Sequence, residues 1–172
     1  MINMLSLILL VLLTIIGGKR GIKTFFTIYL NLTLLFILII IVGWGFNPTI
    51  PTLVICTIIS IIILFFLNGY NKKTISSFIS VIITLVIFTL ITFLLGKIIY
   101  IHGYTEETLD TIGYLIYNTG LDMLSLSNCI IIIGLIGNIN DTSIAISSAL
   151  YELHENNPKL KPKELFISGM NI

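Results

Sequence analysis

From Phe25 to Phe46 the chain reads FFTIYLNLTLLFILIIIVGWGF, an apolar run without one charged side chain. A helix rises about 1.5 Å per residue, so crossing a hydrocarbon core of about 30 Å takes roughly 20 apolar residues. This stretch suits one crossing, and runs of the same kind lie on both sides of it. They cover about 1–17, 50–67, 75–100 and 124–150. The sequence therefore predicts an all-α integral membrane bundle of about five transmembrane helices, in a single transmembrane domain over 1–172 with a tail at 151–172. Composition agrees. Only 10% of residues are charged and the mean hydropathy is +1.10, whereas soluble domains carry about 25% charged residues. In water such a chain would expose patches that drive aggregation. The few basic residues form no stripe suited to nucleic acid.

The first run is short, and a cleaved signal peptide is the alternative. Such a peptide carries positive charge before its apolar region and a small-residue cleavage site after it. Here Lys19, Arg20 and Lys23 follow the run, and no A-x-A pattern is present. A retained span with its N-terminus outside fits better. Basic residues in short loops mark the cytoplasmic side. Lys19, Arg20 and Lys23 lie between the first two spans, Lys72 and Lys73 between the third and fourth, and Lys159, Lys161 and Lys163 after the fifth. With five crossings all three groups share one side, which places the C-terminus in the cytoplasm. Lys97, at the far end of the fourth span, departs from the pattern, and its long stem can snorkel to the interface. The other side holds the Asn47-Pro48 turn and an acidic connection with Glu106, Glu107, Asp110 and Asp122. In that connection Thr105–Tyr117 is expected to form a short amphipathic helix lying on the outer face. Thr105 would cap it, with Glu106 and Glu107 suited to its first turn.

Catalytic motifs are missing. There is no phosphate-binding loop, no dinucleotide fingerprint and no H-E-x-x-H, and a Ser-His-Asp grouping requires residues from unrelated places. Cys56 and Cys129 read as small buried hydrophobes. His102 and His154 fall on opposite faces of the membrane and cannot share a metal. No enzyme activity, catalytic residue, cofactor or metal site is expected.

The fifth span is unlike the others. After an apolar run comes Gly134-Leu-Ile-Gly-Asn-Ile-Asn-Asp141, then Thr142-Ser-Ile-Ala-Ile-Ser-Ser148. On an unbroken helix Gly134, Asn138, Asp141, Ala145 and Ser148 share a small, polar face. Asp141 lies about 16 Å of helix from Glu152, near mid-membrane, where an ionised carboxylate costs at least about 2.5 kcal/mol. Three readings compete. In the first, Gly137–Asn140 is an unwound break and Asp141 caps a half-helix, as in transporter sites. In the second, Asp141 is protonated or paired with a donor on another helix. In the third, the span begins near Tyr114 and Asp141 is an interfacial cap. The candidate polar site is Asp141, Asn138, Asn140, Gly134, Gly137 and Ser148. In span four, Ser77, Ser80 and Thr84 share one face, and Thr89, Thr92 and Gly96 another. Close helix packing accounts for both.

Gly134-Leu-Ile-Gly137, Asp141, Ser147-Ser-Ala-Leu-Tyr-Glu152, Asn157-Pro158, Glu164-Leu165 and Ser168-Gly-Met-Asn-Ile172 together closely resemble the YibE/F family of bacterial membrane proteins. Gly17-Gly-Lys-Arg-Gly21 and Gly45-Phe-Asn-Pro48 are similar to further family features. The resemblance implies a multi-pass protein of the bacterial cell membrane, suspected of transport. Paired members in some Gram-positive bacteria imply a homologous partner. The family pattern continues past Asn-Ile with Gly-Arg-Asp and further spans, so the chain is expected to be partial. Two functional expectations follow. One is a transporter or transporter subunit with Asp141 lining a polar cavity. The other is an accessory or scaffold protein that packs with a homologous partner, or with itself, through its Gly/Ser faces. Partners would be the lipid bilayer and such a membrane protein.

Overall fold

The computed structural model describes residues 2–99, 122–158 and 162–170. The described residues are helical almost throughout, with no strand among them. In chain order they form α1 (Ile2–Gly43), α2 (Thr49–Ile61), a π-helical continuation of α2 (Ile62–Leu67), α3 (Lys72–Ile99), α4 (Met123–Asn156) and α5 (Pro162–Met170). Four helical runs are long and apolar enough to cross a membrane. The Thr105–Tyr117 helix lies outside the described residues.

α1 is too long for one crossing, since its 42 residues would extend about 63 Å. Its continuity is interrupted at Gly18, whose φ of 53° and ψ of −131° are not helical. There the chain turns a sharp corner. A Cβ on Gly21 would overlap the carbonyl of Leu13, although residues eight apart on a straight helix are about 12 Å apart. The run is thus two apolar segments joined without a loop, so the described residues hold four to five apolar segments of a length suited to a membrane. Lys19, Arg20 and Lys23 crowd the corner.

The other boundaries have local causes. Gly43–Pro48 is a turn in which Gly45 takes φ 84°, and the Asn47 Oδ1 accepts the Thr49 N–H as α2 begins. α2 ends through its π segment at Gly69, φ 77°. Thr74 Oγ1 then accepts the Asn71 N–H and bonds back to the Gly69 carbonyl, capping α3. Asp122 Oδ2 accepts from both the N–H and the hydroxyl of Ser125 at the start of α4, the N-cap contact that satisfies an otherwise orphaned donor.

α4 is the centre of the bundle, packed between α2 and α3. Cys56 and Leu64 from the α2 side, Val81 and Leu85 from α3, and Ile132 and Ile136 from α4 make the main core. Leu38 joins Ile55 and Ile59 where α1 leans on α2. Most remaining apolar side chains are exposed, as expected of surfaces solvated by lipid. Several hydroxyl groups in these helices, at Thr27, Thr33, Thr57, Ser60 and Thr89, are satisfied by the carbonyl four residues back and so carry little polarity into the bilayer. The buried Thr52 Oγ1 has no such bond.

The α1 corner, the α2–α3 turn and the end of α4 meet at one end of the bundle. Lys23 lies over the Phe66 ring, 5.8 Å from its centroid, and shares a cavity with Arg20 and Asn68. Lys73 lies 4.8 Å from the Tyr151 ring centroid and 3.8 Å from Glu152. The region beyond 150 is more than a tail. α4 continues to Asn156, and α5 folds back so that Gly169 rests on the Leu150 side chain.

Candidate functional site

α4 runs unbroken from Met123 to Asn156. The expected break at Gly137–Asn140 is absent, and Asp141 is an interior helical residue instead of the cap of a half-helix. Two glycines in one turn lower helix propensity by only about 1 kcal/mol each. The packing of α4 against two neighbours outweighs that.

The candidate residues separate onto two sides of this helix. Gly134, Gly137, Asn138, Asp141 and Ala145 are exposed on one side, with Ser148 half-buried beside them. A Cβ added at Gly134 or at Gly137 would meet nothing within 4 Å. Among the described residues no cation pairs with the Asp141 carboxylate, while Lys73 pairs with Glu152. Asn140 points the other way and is fully buried, with neither its Oδ1 nor its Nδ2 hydrogen-bonded.

Depth follows from the pairing of α3 with α4. Ser77 Oγ donates to the Ser143 carbonyl at 3.2 Å, and Gly96 faces the Leu124 side chain at the other end. Both contacts give the same antiparallel register, which sets Asp141 level with Ile79. Six residues separate Ile79 from Lys73, or about 9 Å of helix. Asp141 is therefore within the apolar zone but nearer its basic end than its centre. The count from Glu152 overstated the depth because the last turns of α4 project beyond the level of Lys73.

Beside Asp141, α3 and α4 border an open cavity of about 320 Å³. Ser80 and Thr84 line it from α3, and Asn138, Thr142, Ser143 and Ser147 from α4, with Ile139 and Ile146. The Ser77-Ser80-Thr84 face thus meets the polar face of α4, with Ser77 bonding directly to it and the other two bordering the cavity. The lining can donate and accept hydrogen bonds but offers neither a base nor a nucleophile–base pair. Among the described residues no group of His, Cys, Asp or Glu could hold a metal ion. Thr89 and Thr92 bond to their own helix instead.

Sequence reasoning missed a second polar strip. On α2, Thr52, Cys56, Ser60 and Leu64 follow at intervals of four and are each 0% exposed. Opposite them, Ser125, Asn128, Cys129, Ile132, Ile136 and Asn140 form the buried face of α4. Thr52 lies beside the Cys129 thiol. The four-residue spacing of small residues on α2 was the available signal, because it lets helices approach closely. The Gly134–Ser148 face drew attention to the opposite side of α4.

No curated protein and no solved structure matches the chain. The family model for YibE/F-like proteins matches residues 5–172, and the chain, with its apolar multi-pass bundle, belongs to the YibE/F-like family.

Proposed function

We propose that this multi-pass membrane protein is part of a transport system, with a polar passage built on the α3–α4 cavity and Asp141 at its edge. The observation that carries the reading is the position of Asp141. Its carboxylate is exposed within the apolar zone, beside a hydroxyl-lined cavity, without a counter-charge among the described residues. An ionised carboxylate against hydrocarbon is unfavourable at that depth, by less than the roughly 2.5 kcal/mol of the bilayer centre, and water or another protein segment over this face relieves it. In a transport protein that cover is a water-filled path closed by a further helix. On this proposal the chain resides in the bacterial cell membrane and does no chemistry on its solute. Its basic end is cytoplasmic and its N-terminus external.

One observation favours a second reading, a non-transporting accessory protein. The open space over Gly134 and Gly137 suits a closely packed partner helix from a homologous protein or a second copy. Cysteine accessibility separates the two. Single cysteines at 138, 141 and 145, on a background lacking Cys56 and Cys129, would be probed with a membrane-impermeant maleimide, with Ile40, exposed on α1 away from buried Leu38, as a lipid-facing control. Transport predicts labelling on the α4 face and none at position 40. A face that never labels removes the transport reading, and a partner cross-linked from the same positions establishes the scaffold.

A further inference from the structure

At the basic end, the turn between α2 and α3 and the end of α4 border an open cavity of about 480 Å³ lined by Tyr70, Asn71, Lys72, Lys73, Ile75 and Tyr151. It is separate from the α3–α4 cavity and shares no lining residue with it. Its lining combines several groups that favour an anion. Two are ammonium groups. Lys72 is exposed and makes no ion pair among the described residues. Lys73 faces Glu152 at 3.8 Å, but that carboxylate is 70% exposed and free to turn to water, so the pair is weak. The tyrosines bring hydroxyl donors. Tyr70 is 80% exposed, and its ring stacks on Phe65 with centroids 5.7 Å apart. Finally, α3 begins at Lys72, and the first N–H groups of a 28-residue helix carry its positive dipole end.

The position narrows the ligand. Ile75, where the apolar run of α3 begins, lines one wall, so the cavity straddles the boundary between apolar helix surface and basic loop. Tyrosine and lysine at that boundary occupy the depth of lipid headgroups. We propose that this cavity binds a phosphate group, as the phosphodiester of an anionic phospholipid headgroup or as free phosphate. Lys72 and Lys73 supply charge, and the tyrosine hydroxyls and the start of α3 supply hydrogen bonds.

The test is native mass spectrometry of the purified full chain in detergent, given phosphatidylglycerol or phosphatidylcholine. A parallel titration with inorganic phosphate is followed by phosphorus NMR. The wild type is expected to retain phosphatidylglycerol over phosphatidylcholine. Lys72→Gln should lower retention about fivefold, the effect of one lysine near an anionic surface, and Lys72→Arg should preserve it. Lys163→Gln removes the same charge outside the cavity and should change nothing. Retention resistant to millimolar inorganic phosphate identifies a lipid, and displacement with a saturable phosphate signal identifies the free anion. Equal retention of both lipids with no phosphate signal would overturn the assignment. So would a loss in Lys163→Gln as large as in Lys72→Gln, which indicates diffuse attraction.

Discussion

Asn140 carries the largest unmet polar demand in the described bundle. Its side chain is 0% exposed and both polar atoms lack partners, while Asp141, one residue on, is exposed. A buried group without its hydrogen bonds costs about 1–3 kcal/mol, and an apolar residue of similar shape removes that cost. Asn140→Leu should therefore stabilise the protein by about 1–3 kcal/mol in reversible SDS unfolding followed by circular dichroism. A loss of stability would show that the amide holds a water or a partner group. The sequence identified Asn140, Asn138 and Asp141 as unusual but could not divide them between faces. On a helix, neighbouring positions differ by about 100°, so which one turns inward depends on where α2 and α3 pack. That choice is tertiary.

The elements were more legible than their interiors. Apolar length located the runs, because bilayer thickness imposes it, and the basic residues marked a common end for the loops. The corner in α1 was less visible. Gly17, Gly18 and Gly21 look alike in the sequence, yet the structure gives each a different role. Gly17 has free space around it, Gly18 has positive φ, and Gly21 touches the Leu13 carbonyl. Alanine substitutions should rank accordingly in the same unfolding assay. Gly17→Ala should be near neutral, and Gly18→Ala should lose about 1–3 kcal/mol because its positive-φ, extended-ψ conformation suits glycine alone. Gly21→Ala should lose about 3 kcal/mol, the upper end for overpacking. Equal effects at all three would mean that the corner is not rigid. The break that one reading of the sequence expects in α4 is absent for a related reason. Gly, Asn and Asp disfavour helix locally, but two flanking helices and a satisfied backbone ladder hold the segment helical in a medium that offers its peptide groups no water.

For the whole molecule the testable quantity is orientation. The corner basic group, Lys73 and the end of α4 converge at one end of the bundle through the Lys23–Phe66 and Lys73–Tyr151 contacts, and basic loops favour the cytoplasm. A reporter fused after Ile172 should read cytoplasmic and one fused before Met1 external. The same readout at both ends would remove one crossing, most simply the first segment, whose 16 residues before Gly18 extend only about 24 Å. The bundle also has an unequal profile. α4 has 34 residues, about 51 Å of helix against a core of about 30 Å, and its surplus stands at the basic end with α5 folded against Leu150. No hinge divides that length, so one continuous helix joins the level of Asp141 to the surface on which α5 packs.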